Sequence, residues 1–482
     1  MGEHPEFFNL INRTADEIQG WIQDNEIIRV ASHLDADGLS AGGIISQALY
    51  REGGKFHLRI IRQLEKSFIK ELADEKRKYY IFIDMGTGQI NTLEEYLADN
   101  KVIIIDHHKP LNENKSQFLH VNPHFFGIDG VTEISGAGIA YFVAKAMNEQ
   151  NTDLANLAVV GGIGDRQDKG KYFSLSGLNE LIIKDGTNAG ILKEERDLRF
   201  FGKESRPIHL SLKYTTEPFI PGISGNEENC IRILMSAGIK PKENKKWRTI
   251  SDLSQDEKVK LNSAIVKFAL KKGFDRKEAL NLIGTSYTFL NEEKGSVLRD
   301  AREFSSLLNA CGRMSKGGLG ISICMGDKDS FEEALKSLTE YRKKIAEYLN
   351  WFQEKDIVQE KKAIYHFHGG KKIIDKMIGT ITSIATSSNL IKSDKPLIGI
   401  AYIADAENLS KISARGFPEL IEKGLDLGKA LRDTIKKLKI EGEAGGHNIA
   451  AGAQIPTDLE NKFLETLDTI IEKQILNKNR NL

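Results

Sequence analysis

His33, Asp35 and Asp37 in IIRVASHLDADG, Asp84 in YYIFIDMG, Asp106, His107 and His108 in KVIIIDHHKP, and Asp165 in LAVVGGIGD are the residues of this chain best suited to chemistry. Carboxylates and imidazoles together hold divalent cations, and the mixed set suits manganese, with magnesium or zinc also compatible. Two such ions about 3.5–4 Å apart need a bridging carboxylate, and they can clamp the attacking and leaving oxygens of an in-line phosphoryl displacement. Taken singly, each acid also makes a good helix cap or turn former, Asp37 before Gly38 and Asp165 after Gly164 included. Their recurrence, each time after an apolar run, points to a metal centre.

The elements that must position these residues follow from those runs. Four candidate strands release acids and imidazoles at their C-terminal ends, where open α/β sheets place ligand sites. If HLDADG is extended, His33, Asp35 and Asp37 share one face, because side chains alternate with period two. From about 5 to 190, short apolar runs (27–31, 57–61, 79–84, 102–106, 157–163) alternate with amphipathic stretches such as 38–52, 90–99 and 136–149. That alternation predicts an α/β domain with a parallel, doubly wound sheet.

Residues 191–305 break the pattern with Pro207, Pro218 and Pro221, the lysine-rich KPKENKKW, and a capped helical stretch from Ser251 to Gly273. They read as a largely helical insertion. From 303 to 326 the pattern returns to helix, glycine-rich turn and apolar strand, and 328–362 reads as a long connecting helix. The last part alternates again: 396–403 and 409–417 as strands, ELIEKGLDLGKALRDTIKKL as one or two helices, and AGGHNIAAGAQI as a glycine-rich turn into a strand. The expected division is a catalytic domain over 1–190, the insertion over 191–305, completion of the first domain with the connecting helix over 306–362, and a smaller α/β domain over 363–482.

At 482 residues, two or three domains with ample cores are expected. Lys+Arg and Asp+Glu both number 68, so no global basic field argues for nucleic acid and any such contact must be local. The three cysteines, Cys230, Cys311 and Cys324, form no CxxC, which argues against a thiolate zinc ribbon and a disulfide framework. The first thirty residues lack a continuous apolar core, and no run reaches the roughly 18 apolar residues of a membrane span. A soluble cytoplasmic protein without membrane contact is expected.

HLDADG, FIDMG, DHH and GGIGD, in that order, resemble the four motifs of the DHH phosphoesterase superfamily. AGGHNIAAGAQI is similar to the GGH segment of its DHHA1 domain. LLNACGR at 307–313 and DKMIGTITSIATSS at 375–388 resemble segments of RecJ-type exonucleases. The resemblance excludes 191–305. It implies that Asp84 bridges two ions, that Asp165 is a shared or second-ion ligand, that His33 and Asp35 complete one ion, and that Asp37 and His107 complete the other. His108 would face the scissile phosphate, and Asp106 would orient the histidines, a support that metal-bound imidazoles generally need. The nucleophile would be a water activated by the two ions. Arg415, Gly445, Gly446 and His447 would bind the substrate backbone or its terminal nucleotides, with Arg313 a further phosphate contact.

The implied activity is removal of nucleotides from single-stranded DNA in the 5′-to-3′ direction, during replication or repair, with the strand threaded between two domains. His33 stands where bacterial RecJ proteins carry an acid, and the chain lacks the oligonucleotide-binding-fold domain that many of them add. Both traits, with the insertion, resemble the archaeal RecJ proteins associated with the GINS replication complex, so 191–305 would dock such a partner or else lid the cleft. Two other readings compete. One is a DHH-family phosphoesterase acting on short oligonucleotides, RNA included, on cyclic dinucleotides or on phosphoanhydrides, although NACGR and the insertion argue against a small substrate. The other is a replisome scaffold with a vestigial site, against which the full ligand set stands. RNA remains a candidate substrate because phosphate-centred contacts carry little sugar information.

Overall fold

Short runs rich in apolar residues form five parallel strands: β1 (Ile28–His33), β2 (Phe56–Ile61), β3 (Tyr79–Ile83), β4 (Lys101–Ile105) and β5 (Leu119–Val121). β3 is buried along its whole length, as strands covered on both faces are. The computed structural model describes residues 4–110, 116–215, 220, 222–271, 282–388, 390–404, 406, 408–440 and 444–479. They divide into two units, Met1–Leu338 and Thr339–Leu482.

In the first unit the strand order is β2-β1-β3-β4-β5, all parallel. This is a doubly wound order whose direction of winding reverses between β1 and β3, and ligands gather outside the C-terminal ends at such a switch point. The Ala36–Arg51 helix leaves β1, and every residue from Ala36 to Ser46 is buried. Its sequence, ADGLSAGGIISQALYR, has no polar face, as a helix wrapped by others requires. Helices Gly136–Met147, Ala155–Gly164, Ala301–Arg313 and Gly317–Cys324 pack around it.

Three expectations need correction. The run 157–163 is not a strand but part of the Ala155–Gly164 helix, and the predicted apolar strand before 326 is the Gly317–Cys324 helix. Both runs are apolar on all sides, so periodicity cannot separate a buried helix from a buried strand. HLDADG is not extended either. β1 ends at His33, Asp35 is the N-cap of the next helix, accepting from the Gly38 N–H at 3.1 Å, and Asp37 lies in its first turn. Asp37 therefore leaves the face shared by His33 and Asp35.

The insertion is rooted on an antiparallel pair, Leu192–Leu198 with Ile283–Phe289, and carries helices Ile208–Tyr214, Glu227–Ser236 and Gln255–Lys271 around its own apolar core. The predicted helix end at Gly273 lies outside the described residues. At the root, buried Lys203 faces Asp197 at 3.5 Å and Asp300 at 3.6 Å, and Asp300 caps the Ala301–Arg313 helix. That helix crosses the expected boundary at 305. A charge so buried is tolerated because acids and Ser286 surround it.

The Phe331–Phe352 helix occupies much of the predicted connecting segment. In the second unit a six-stranded sheet runs Gln359–Glu360, Tyr365–Gly370, Leu397–Tyr402, Leu409–Arg415, Ala450–Pro456, Ala444–Gly446. Only Tyr365–Gly370 with Leu397–Tyr402 is parallel. Helices Leu427–Leu438 and Glu460–Asn479 close its apolar core. Among the described residues no helix is long and apolar enough to cross a membrane.

A Cβ on Gly312 would meet the Leu34 carbonyl oxygen at 1.6 Å, so this glycine sets how closely the Ala301–Arg313 helix approaches the loop carrying Asp35. Gly312→Ala is predicted to lower unfolding stability by about 1–3 kcal/mol, the usual cost of overpacking. A urea midpoint equal to wild type would contradict that packing.

Candidate metal centre

Strand ends and helix ends converge at the switch point. His33 closes β1, Asp84 follows β3, and Asp106, His107 and His108 follow β4. Asp84 has φ of 58°, a left-handed conformation that costs a residue with a side chain about 1–3 kcal/mol. Its N–H remains tied to the Ile105 carbonyl at 2.8 Å, so the chain turns out of the sheet while the ladder continues. Asp165 sits at the C-terminal end of the Ala155–Gly164 helix, where the helix dipole disfavours a carboxylate. Helix stability does not account for that placement.

The distances bring seven of the eight predicted residues into one cluster, with Asp106 behind His108. His33 Nδ1 lies 3.0 Å from Asp35 Oδ2 and 3.4 Å from Asp84 Oδ2. His107 Nε2 lies 3.2 Å from Asp84 Oδ1, 3.6 Å from Asp37 Oδ2 and 3.7 Å from Asp165 Oδ2. Three overlapping sets result, His33–Asp35–Asp84, Asp37–His107–Asp165 and Asp84–His107–His108, each with ligand atoms within 4.8 Å of one another. Asp84 belongs to two of them.

The surrounding contacts fix these groups. Asp37 accepts from the Gly136 N–H at 2.8 Å and the Ala137 N–H at 2.9 Å, the free donors at the start of the Gly136–Met147 helix. Gly161 permits that approach, since a Cβ there would meet Asp37 Oδ1 at 2.4 Å. His107 Nδ1 pairs with the Gly130 carbonyl at 2.6 Å, which presents Nε2 to the acids. Asp106 Oδ1 pairs with His108 Nδ1 at 2.7 Å, while Oδ2 accepts from the Thr87 N–H at 2.9 Å. Asp106 thus faces His108 rather than the cluster of acids. Asp84 Oδ1 is buried and accepts no hydrogen bond of good geometry among the described residues. An orphaned carboxylate oxygen amid imidazoles and acids fits a divalent cation.

The electrostatics are those of acids crowded out of water. Burial, with Asp84 and Asp165 beside it, pushes Asp37 up to about 8. Burial likewise raises Asp165, to about 6, against the pull of His107. Burial opposes charge on His33, but Asp35 and Asp84 outweigh it and push the imidazole up to about 10. His107 and His108 are raised for the same reason, by Asp165 and Asp84 and by Asp106 respectively, against burial. Asp35 is held well below the usual carboxylate range: burial works against this, and His33, the Gly38 N–H and the charge of Arg313 overcome it. Arg313 is thereby placed within electrostatic reach of Asp35. Asp106 is also held low, by His108 and Thr87 against burial.

Several supporting residues escaped the sequence reading. Asn309 Oδ1 accepts from the Ala36 N–H at 3.1 Å, between Asp35 and Asp37. Gln167 donates to the Gly130 carbonyl at 2.9 Å and to Asp165 at 3.3 Å, and Asn179 holds its carbonyl at 2.9 Å. Asn122 donates to Thr87 Oγ1 and to the His108 carbonyl. Only proximity to Asp165 in GDRQ, and to Arg313 in NACGR, could have signalled Gln167 and Asn309.

In the second unit, Arg415 ends the Leu409–Arg415 strand opposite Ala450 and donates to Ser383 Oγ at 2.7 Å. The His447 N–H donates to the Ala450 carbonyl at 2.8 Å, so both cationic candidates flank Ala450 at one end of the sheet. Gly445, Gly446 and His447 are exposed. The Gly428 and Leu427 N–H groups donate to the carbonyls of His447 and Asn448, seating the turn on a helix N-terminus.

Acids and imidazoles that could hold a divalent metal converge at the switch point of a parallel sheet in this α/β protein. Residues 27–162 match the DHH family, N-terminal domain; residues 200–283 match the DHH-CID domain; residues 363–473 match the DHHA1 domain. An uncharacterized protein of Methanocaldococcus jannaschii is 36% identical over 458 residues, covering 93% of this chain and 94% of that protein. The chain belongs to the DHH/DHHA1 superfamily and is a DHH-family phosphoesterase, RecJ-like in fold. RecJ from Thermus thermophilus, solved in complex with Mn2+, matches 96% of the chain with a TM-score of 0.58 and 17% identity, and the chain spans 55% of that RecJ's length. CDC45 from Entamoeba histolytica matches 96% of the chain and 99% of its own with a TM-score of 0.64 and 13% identity. At these identities the likeness is one of fold.

A cation entering this cluster must displace protons held by Asp37, Asp165 and the imidazolium groups. Manganese affinity is therefore predicted to rise with pH between about 6 and 10, the values set by Asp165 and His33. Calorimetry in buffers of different ionisation enthalpy should register net proton release. Affinity independent of pH, with no protons released, would contradict these protonation states.

Proposed function

We propose that this protein is a metal-dependent exonuclease that hydrolyses the phosphodiesters of single-stranded DNA, from the 5′ end, in replication or repair. The observation that carries the reading is the sharing of Asp84 between His33–Asp35 on one side and His107 on the other. His33, Asp35 and Asp84 would hold one cation; Asp37, His107, Asp165 and Asp84 would hold a second. When bound, a pair of Mn2+, Mg2+ or Zn2+ ions would supply Lewis acidity and make water a nucleophile near neutral pH.

The chain's own groups do the rest. Asp106, held ionised, fixes the His108 ring through Nδ1, and the half-exposed ring keeps a proton at Nε2 for a phosphate oxygen or the leaving group. Arg313 adds positive charge beside Asp35. In the second unit, Arg415 and the exposed Gly445–Gly446–His447 turn offer a guanidinium, an imidazole and close backbone approach to a strand's phosphates. RNA or a short oligonucleotide would meet the same groups.

Replisome proteins of the GINS type are the proposed partners of the insertion. Ile231 and Met235, four residues apart on the Glu227–Ser236 helix, expose apolar surface there. Replacing both with Glu is predicted to abolish co-purification with such proteins; retained association would remove the docking proposal.

Asp84→Asn should reduce manganese-dependent hydrolysis of an end-labelled single strand by more than about 100-fold, the upper range for losing even an outer partner of a metal ligand. Without metal the variant should still unfold in one cooperative thermal transition, because Asn keeps the shape of Asp84 while losing its charge beside Asp37, His33 and His107. Activity near wild type would overturn the assignment of the site.

A further inference from the structure

Beyond Gln167, which holds Asp165, the segment RQDKGKYFSLSG supplies no group to the chemistry described above, yet it is built at a conformational cost. Arg166, Tyr172 and Phe173 all have positive φ, of 58°, 59° and 59°. For aromatic side chains such conformations cost about 1–3 kcal/mol each and persist only where surroundings impose them. The surroundings here are explicit. Gln167 is buried and bonded to Asp165, Gly130 and Asn179; Asp168 pairs with Arg302 at 2.7 Å and faces Arg199 at 3.8 Å; the Tyr172 carbonyl accepts from Thr285 Oγ1 at 3.2 Å.

The strain serves a particular display. The Arg196 guanidinium lies 3.3 Å from the centre of the Tyr172 ring, and that of Arg199 lies 3.6 Å from the centre of the Phe173 ring. Tyr172 is nevertheless 45% exposed, and Arg196 is exposed with it. Lys171 Nζ lies 5.3 Å from the centre of the Tyr172 ring, and both Lys169 and Lys171 are exposed. Buried aromatics strengthen a core, but a strained, half-exposed tyrosine backed by a guanidinium on its other face contributes little to one. Aromatic faces interleaved with cations match the chemistry of a single-stranded polynucleotide, whose bases stack and whose phosphates carry charge.

We infer that Tyr172, on the loop pinned to Asp165, and Arg196, on the Leu192–Leu198 strand behind it, form a stacking platform for a base of a single-stranded polynucleotide, with Lys169 and Lys171 facing its phosphates. This deepens the proposed function and rests on it for the substrate class. A platform outside the cluster of acids makes the protein prefer a strand several nucleotides long over a dinucleotide.

Two measurements on the full-length protein test this separately from the hydrolytic reading. Fluorescence anisotropy with a labelled single strand, in chelator, should show affinity about 10-fold weaker for Tyr172→Ala, in the range of one lost base stack, with Tyr172→Phe near wild type. In manganese, the ratio of kcat/KM for a long strand over a dinucleotide should fall about 10-fold for Tyr172→Ala and recover in Tyr172→Phe. Thermal unfolding of both variants monitors the fold. Unchanged binding by Tyr172→Ala, or equal loss in Tyr172→Ala and Tyr172→Phe, would overturn the platform. Wild-type protein that binds the strand but hydrolyses neither substrate would defeat the exonuclease reading, and the anisotropy series would still decide the platform.

Discussion

Asp37, Asp84 and Asp165 are carboxylates gathered around the His107 imidazole, the first two almost wholly out of water and the third partly so. Coulomb repulsion at such separations in a buried site is large unless protons or cations compensate. Burial first, and the charges of Asp84 and Asp165 after it, push Asp37 up to about 8. Much of the first unit can be understood as the apparatus that keeps these groups together despite that repulsion. Free N–H groups from the Gly136–Met147 helix grip Asp37, the Gly130 carbonyl orients His107, and β3 delivers Asp84 in a strained backbone conformation.

That apparatus depends on packing more than on the sheet alone. The Ala36–Arg51 helix begins inside the cluster and is buried on every side, so the helices around it set where Asp35 and Asp37 stand. The Ala301–Arg313 helix touches the cluster twice, through Asn309 to Ala36 and through the charge of Arg313 on Asp35. The same helix is capped by Asp300, which faces the buried Lys203 at the base of the insertion. Lys203, Asp300 and this helix thus link the base of the insertion to the acids.

Much of this was written plainly in the chain. The runs before His33, Asp84 and Asp106 are β-branched and short, and they form the parallel strands they suggest. The run before Asp165 misled because LAVVGGIG is apolar on all faces, and a buried helix of ten residues leaves no periodic trace. HLDADG misled because the N-cap at Asp35 turns the backbone before Asp37, a local hydrogen bond overriding alternation. Asn309 stood inside the LLNACGR resemblance without a role, and Gln167 was invisible, for a different reason. Their roles are hydrogen bonds to backbone 273 and 37 residues away, which no local pattern encodes.

The proposed hydrolysis requires that two cations share Asp84. Anomalous diffraction from crystals soaked in manganese measures this directly. Two peaks about 3.5–4 Å apart are expected, one beside His33 and Asp35, the other beside Asp37, His107 and Asp165, with Asp84 contacting both. A single peak away from Asp84, or no peak among these residues at saturating manganese, would contradict it.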